Sequence, residues 1–478
     1  MTDTIDQEYD VVVVGGGPGG STVSTLVAMQ GHRVLLLEKD QFPRHQIGES
    51  LLPSTVHGIC ELLGVGEEIA AAGFQKKHGG IFRWGLNPEP WTFDFAISEK
   101  FSGPTSYAYQ VERMKFDKIL LDNARRKGVD VRERHTVVDV LEEEGRVCGV
   151  RYTDPEGVRK KVRAKFVVDA SGNLSRIHTR VGGERIYSEH FQNIALFGYY
   201  KGGKRQPEPK RGNITCASFG RGWFWHIPLS DELTSVGAVL RREEAAGLIQ
   251  GDREEALTSL IAECPLIEDY LDGASRVTDG PYGEIRVRKD YSYIQEAFWR
   301  PGMILVGDAA CFIDPLFSSG VHLATYSGLL AARSINTAML GEISEETCLR
   351  EYEERYRREY GLFHDFLLEF YDVERDERAY FEQAKQITKD SSTEEKSFVT
   401  LVGGGASDEK GLLAAGAMVS ESRKADLLGR LPEVHREGSR IQTQAMFGES
   451  IGDQPLREGS LVESPDGMHW AVFDPSAV

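Results

Sequence analysis

The run Tyr9-Asp10-Val11-Val12-Val13-Val14-Gly15-Gly16-Gly17-Pro18-Gly19-Gly20 decides the fold, and Val34-Leu35-Leu36-Leu37-Glu38 completes its motif. A short, unbroken apolar run reads as a parallel strand buried on both faces. The glycines then turn the chain into a helix, expected from about Ser21 to Gln30 and closed by Gly31. Gly15, Gly17 and Gly20 stand at G-x-G-x-x-G spacing, with Pro18 between them. Such a turn brings a helix N-terminus against a pyrophosphate. Glu38, ending the second strand, is placed to accept hydrogen bonds from ribose hydroxyls. The unit is a Rossmann-like dinucleotide site. NAD and FAD satisfy its fingerprint equally, so the choice rests on what lies further along.

Arg113 opens an expected helix that reaches Lys127. Val129 to Asp169 reads as a strand meander ending in Asp169-Ala170-Ser171-Gly172. Met303 to Val306 is another buried strand, followed by Gly307-Asp308-Ala309 and a helix from near Gly320 to about Leu340. Ile81–Ala96 and Asn193–Val239 are β-like. From Leu349 to Tyr371 apolar residues recur every three or four positions, the mark of a long amphipathic helix. Beyond about Gly403 the expectation is a partly helical, mobile appendage. Only one complete dinucleotide fingerprint is present, so a separate NAD(P)H domain is not evident.

At 478 residues the chain needs two lobes or one elaborated α/β domain. Its 56 basic and 74 acidic residues give a net charge of −18, which argues against nucleic acid or an anionic membrane as partner. The six cysteines are scattered without metal-ligand spacing, so no metal is expected. An acidic N-terminus and the lack of a long apolar run predict no signal peptide, no membrane span and a cytoplasmic, reduced-thiol protein.

Three further segments carry chemistry. Gly222-Trp223-Phe224-Trp225-His226-Ile227-Pro228 puts two tryptophans on one face of a strand, where they serve equally as core or as a rigid wall. In Phe312-Ile313-Asp314-Pro315-Leu316-Phe317-Ser318-Ser319-Gly320, a serine is expected to cap the following helix. A glycine turn there also suits a small anion. In Phe74-Gln75-Lys76-Lys77-His78-Gly79 two adjacent lysines occur, and a lysine is ordinarily a solvated surface cation.

Together these segments resemble the flavin-dependent halogenases, within the FAD-dependent hydroxylase superfamily; the resemblance to the superfamily covers about residues 9–345, and that to the halogenases extends to Trp470-Ala471-Val472. The resemblance lies in W-x-W-x-I-P at Trp223, Trp225, Ile227 and Pro228, in F-x-x-P-x-x-S-x-G from Phe312 through Pro315 to Gly320, and in F-x-x-K-x-G at Phe74, Lys77 and Gly79. It implies an α/β fold: a Rossmann-like FAD-binding domain (1–80, 111–185 and 286–345) interleaved with a substrate sheet (81–110 and 186–285), then a mostly helical region (346–478). It implies FAD, used as FADH2 from a separate flavin reductase, with chloride or bromide as the halide. Gly15, Gly17, Pro18, Gly20, Glu38, Arg44, Ser50, Arg113, Asp169, Gly307 and Asp308 would hold the cofactor, and Ser318, Ser319 and Gly320 the halide. Trp223 and Trp225 would keep the organic substrate off the flavin. Hypochlorous acid formed at the flavin would pass this wall to Lys77, which would hydrogen-bond it or form a chloramine. Arg44, Arg113 and Lys77 each also have an ordinary surface reading, and only motif register selects Lys77 over Lys76.

Tryptophan halogenases carry a Glu just before the Ser of the P-x-x-S segment, where this chain has Phe317. That difference points to a substrate that activates itself, a phenol above all. The segments 44–83 and 291–326 look most like phenol-type halogenases, the chondrochloren type among them, some of which act on carrier-tethered tyrosyl groups in nonribosomal peptide pathways. The basic run Lys201, Lys204, Arg205, Lys210 and Arg211 suits an acidic carrier protein or a plain solvated loop. Phe82, Trp84, Trp91, Phe93 and Phe95 are pocket candidates, with about half expected to face the core instead. The competing readings are an aromatic monooxygenase or other flavin oxidoreductase on the same fold, and a non-catalytic flavoprotein scaffold.

Overall fold

The computed structural model describes residues 8–406 and 460–473, apart from 88, 102, 246, 249 and 389–391. Two sheets organise it. In the first, Met303–Leu305, Arg159–Asp169, Tyr9–Val14, Val34–Glu38 and Asp130–Glu133 lie side by side and parallel. The valines and leucines of Tyr9–Val14 and Val34–Glu38 are buried on both faces, as a doubly covered sheet requires. Helix Pro18–Ala28 covers this sheet and starts earlier than its apolar pattern suggested. The first helical position takes Pro18, whose fixed φ and missing N–H suit it.

Glycines make the layers fit. A Cβ on Gly15, at φ +103°, would sit 2.5 Å from the Ala170 carbonyl oxygen, and one on Gly20 would overlap the Gly15 carbonyl. Helix Ser319–Leu340 crosses helix Pro18–Ala28 where Gly19 and Gly328 let the backbones touch.

The second sheet is largely antiparallel, built from Cys311–Phe312, Arg286–Gln295, Arg185–Lys201, Leu233–Arg241, Gly222–Pro228, Ile214–Phe219, Gly79–Arg83 and Trp91–Asp94 in that order. Directly opposed residues share a face. One such row therefore runs Phe197, Gly237, Trp225, Cys216, Phe82, Trp91 across six strands.

Helix Glu345–Phe370 packs on Ser319–Leu340, and Glu377–Thr388 and Glu394–Val402 follow it. Ser54, His322 and Glu359 form a buried hydrogen-bonded row, with links of 3.0 and 2.7 Å, that ties the 54–59 turn to both long helices. The strands Leu461–Glu463 and Trp470–Val472 return to the core, where Trp470 Nε1–H donates to Ser334 Oγ at 2.9 Å. Most of the expected appendage beyond Gly403 lies outside the described residues. Among the described residues no helix is long and apolar enough to cross a membrane.

Candidate active site

A cavity of about 620 Å³ opens between the two sheets. Gly15, Gly17 and Pro18, with Glu38 and Arg44, line it from the parallel-sheet side, and Trp223, Trp225 and Ile227 line it from the antiparallel sheet. Gly17 precedes helix Pro18–Ala28 without a side-chain cap, so the first-turn N–H groups remain for an anion. Glu38 accepts from Gly16 N–H at 2.6 Å and Asp40 N–H at 2.8 Å, and its carboxylate keeps lone pairs for ribose hydroxyls. It thus also holds the glycine turn in place.

Arg113 is buried, not a surface cation. Its Nε–H and Nη2–H donate to Asp117 at 2.7 and 2.9 Å, and Nη1–H donates to the carbonyls of Ile47 and Gly48 at 2.6 and 3.2 Å. Arg44 reaches the same Asp117 at 3.1 Å. Asp117, fully buried, therefore clamps the 44–50 loop against helix Arg113–Arg126. On that loop Ser50 lines the cavity, and its buried Oγ has no hydrogen-bond partner among the described residues. An orphaned hydroxyl, an uncapped helix start and a free-edged ribose acceptor all fit a bound FAD.

Several residues stand away from the cavity. Asp169 does not line it. Burial raises the pKa of Asp169, while Ser171 N–H, Ser171 Oγ and the Ser175 hydroxyl donate to its carboxylate. Its task is to shape the turn whose Ala170, Ser171 and Gly172 do line the cavity. Gly20, Pro228 and Ser319 are buried in packing and do not line the cavity. Gly307 and Asp308 are at the cavity wall, with the Asp308 carbonyl accepting from Tyr293 Oη–H at 2.5 Å. Burial raises the Asp308 pKa against the pull of Arg288, Arg113 and Arg185.

Phe312, Pro315, Ser318 and Gly320 border the cavity. The expected serine cap is not made. Ser318 takes the left-handed conformation, φ 60°, and its side chain accepts from no helix N–H. Asp314 caps the preceding turn instead, accepting from Leu316 N–H at 3.1 Å. The left-handed residue turns successive N–H groups the same way, a geometry suited to a small anion.

Each indole of the wall is pinned. Trp223 Nε1–H donates to Tyr371 Oη at 2.8 Å, and Trp225 Nε1–H to Ser235 Oγ at 3.1 Å. Their ring centroids are 6.1 Å apart. Gly237 lies under Trp225, and any Cβ there would overlap the indole.

Lys77 is not part of the cavity lining and is 2% exposed. Its Nζ donates to the Leu51 carbonyl at 3.1 Å and sits 5.5 Å from the Phe95 ring centroid. Burial brings its pKa down to about 7, with Cys216 the nearby group that acts the other way. Lys76, by contrast, is exposed and lies 4.3 Å over the Tyr107 ring. All five candidate pocket aromatics are buried, not half of them. Alternation explains this: 82 and 84, like 91 and 93, share one parity and one face, and Phe95 closes the set. They pack with Phe317, Phe370 and Phe398. Two of the five cations of the basic run are ion-paired, Lys204 with Asp269 at 2.7 Å and Arg211 with Asp231 at 3.2 Å, while Lys210 donates to the neutral Thr92 hydroxyl.

Sequence reading passed over Asp117, Gly237, Cys216, Ser235 and Tyr371. Only Asp117 had a local signal, four residues after Arg113 on a helix.

Comparisons agree with this geometry. The family model described as tryptophan halogenase matches residues 10–104 and 98–413. A tryptophan 2-halogenase of Chondromyces crocatus is 38% identical over 384 residues, covering 79% of this chain and 70% of that protein. The flavin-dependent halogenase gsfI of Penicillium aethiopicum is 35% identical over 383 residues, covering 75% of this chain and 70% of its own. The solved structure of a myxobacterial chondrochloren halogenase, a variant of FAD-dependent halogenases, superposes with a TM-score of 0.78 at 50% identity, over 98% of this chain and 100% of that one. The glycine turn, the tryptophan wall and these matches place the chain in one family: it is a flavin-dependent halogenase that works with FADH2 and halide.

Proposed function

We propose that this halogenase acts on an electron-rich phenolic ring of the tyrosyl type in natural-product biosynthesis, with Lys77 as its catalytic amine. The observation that carries the reading is Phe317. It is buried, with its ring 5.1 Å from Phe366 and 4.8 Å from Phe370, so no carboxylate stands there to polarise a weakly activated ring. A phenol needs none, since its own oxygen enriches the ortho carbon.

FADH2, when bound, would reduce O2 to the peroxide level, the two-electron oxidant that halide needs to become hypohalous acid. Of the expected halide residues Ser318, Ser319 and Gly320, the first and last border the cavity and would hold the halide with backbone dipoles, Ser319 adding only the peptide between them. Trp223 and Trp225 exclude an aromatic substrate from the flavin side. Lys77, neutral for much of the time because of its burial, then hydrogen-bonds the hypohalous acid or takes its halogen and directs it to the ring. We further propose the interleaved domain division given above, a cytoplasmic setting and a separate flavin reductase as source of FADH2. Ion pairs engage two of the five cations of the 201–211 run, and the choice between free and tethered substrate falls to experiment.

That experiment supplies reduced FAD, halide and air with free and carrier-loaded tyrosine analogues, and reads the isotope pattern of the products by mass spectrometry. A halogenated phenol is the expected result. Halogenation of free tryptophan with no reaction on either phenol would overturn the reading.

A further inference from the structure

Oxidation of halide in the flavin cavity consumes a proton. The balance is FADH2 + O2 + Cl⁻ + H⁺ → FAD + HOCl + H2O: flavin and chloride each give two electrons, O2 takes four, and the added proton leaves in water. The proton has to arrive in a cavity that the two indoles help to line. One carboxyl of the cavity lining serves no purpose identified so far. Glu49 is 2% exposed and lines the cavity between Gly48 and Ser50.

A hydrogen-bonded chain leads to it. Tyr199 Oη–H donates to Glu49 Oε1 at 2.8 Å, and His45 Nε2 lies 2.8 Å from the same Tyr199 oxygen. Because the Tyr199 proton is directed at Glu49, its oxygen is left as acceptor, and the His45 tautomer with Nε2 protonated completes the chain. Every donor then faces inward. His45 itself is half-buried and lines the cavity.

We infer that Glu49 is the proton donor for halide oxidation, recharged from solvent through His45 and Tyr199. One proton moves from Glu49 to the departing water oxygen. The Tyr199 proton replaces it as His45 Nε2–H passes to Tyr199, and His45 recovers a proton on Nδ1. Burial raises Glu49 to about 7, against the opposing pull of the Ser235 and Tyr199 hydroxyls and of Arg113, with Glu112 adding to the rise. It therefore holds a proton at neutral pH and can also lose it there. His45, lowered to about 4 by burial and by Arg286, Arg113 and Arg44, is neutral and acts by tautomer exchange. Tyr282, tilted against Tyr199 with ring centroids 4.5 Å apart, has its own hydroxyl committed to Glu112 at 2.8 Å and stays outside the chain.

The inference rests on the flavin site and not on the phenol reading. Its test omits organic substrate and collects hypohalite with a soluble trap. In the flavin-free protein, infrared spectroscopy should show a protonated-carboxyl band that titrates near neutrality and is missing in Glu49→Gln. With reduced FAD, halide and O2, Glu49→Gln should form hypohalite about 100-fold more slowly while still quenching flavin fluorescence on binding. Tyr199→Phe should keep the infrared band, slow hypohalite formation and enlarge its solvent isotope effect. Should Glu49→Gln not fold, Tyr199→Phe carries the test alone. Hypohalite formation at the wild-type rate in Glu49→Gln, or an unchanged isotope effect in Tyr199→Phe, overturns the proposal.

Discussion

At the scale of single residues, Lys77 shows what burial does to a cation. An ammonium at 2% exposure, with one carbonyl and one aromatic ring as partners, is poorly solvated, and its proton is given up near pH 7. The unfolded chain keeps that proton up to the ordinary lysine value. Between those two pH values the unfolded state holds the extra proton, so stability rises with pH through the window, by about 1.4 kcal/mol per pH unit for one group. Lys77→Met should therefore lose that slope and gain stability near neutral pH, while yielding at least about 100-fold less halogenated product. Denaturant melts of both proteins across this window, beside product assays, check the pair of effects; equal slopes would mean the amine is solvated. Lys77→Ala should likewise bind FAD and form hypohalite yet give no halogenated product. Gly237 offers a second probe. A methyl there would overlap Trp225, and the opposite strand's Phe197 leaves it no escape. Gly237→Ala should tilt the indole and open the wall, shifting tryptophan fluorescence and letting aromatic compounds quench bound flavin. Unaltered quenching would mean the wall is not rigid.

At the scale of elements, the 44–50 loop depends on one carboxylate. Asp117 holds Arg113 and Arg44, and Arg113 in turn holds the loop carbonyls. Asp117→Ala would leave two guanidinium groups without their common partner, one of them fully buried. A loss of about 3–5 kcal/mol is expected for removing one member of a buried pair, with FAD affinity falling alongside it. Thermal melts with and without FAD test this; a loss below about 1 kcal/mol would mean that solvent replaces the partner. This element also marks how far sequence reading reaches. The Tyr9–Glu38 unit, the helix at Arg113 and the Trp223–Ile227 face were legible because local pattern alone determines them. The helix start at Pro18 was misplaced because an apolar pattern begins only where side chains meet the core. Asp169 was read as a ligand because it ends a strand at the site, yet two serines downstream turn its carboxylate inward. The aromatic set was split in two because alternation was applied to the list and not to each strand. Gly237, Cys216 and Tyr371 carried no local signal, since their meaning comes from cross-strand register and from a helix end more than a hundred residues away.

At the scale of the whole molecule, the two sheets set the order of events. The parallel sheet presents its glycine turn to the cavity, and the antiparallel sheet lines the cavity with its indoles. The cross-strand row from Gly237 through Trp225 and Cys216 to Phe82 then spans from the flavin side to the aromatic cluster. Cys216 stands opposite Trp225 in register and acts electrostatically on Lys77, which belongs to the separate strand pair Gln75–Lys77 and Ala108–Gln110, so one side chain links the wall and the amine. Two titrations of opposite sense follow from this layout. Glu49, raised to about 7, supplies its proton only below that pH, so hypohalite formation should fall as pH rises through it. Lys77, lowered to about 7, offers a neutral amine only above that pH, so use of hypohalite on the ring should grow over the same range. Total turnover should therefore be bell-shaped around neutrality, while the fraction of hypohalite that ends on the substrate rises steadily with pH. Measuring trapped hypohalite and halogenated phenol in the same reactions separates the two limbs. In Glu49→Gln the descending limb should vanish and the coupling fraction should still climb. A coupling fraction flat with pH would place the halogen-carrying group somewhere other than Lys77, because no solvated amine or arginine titrates there.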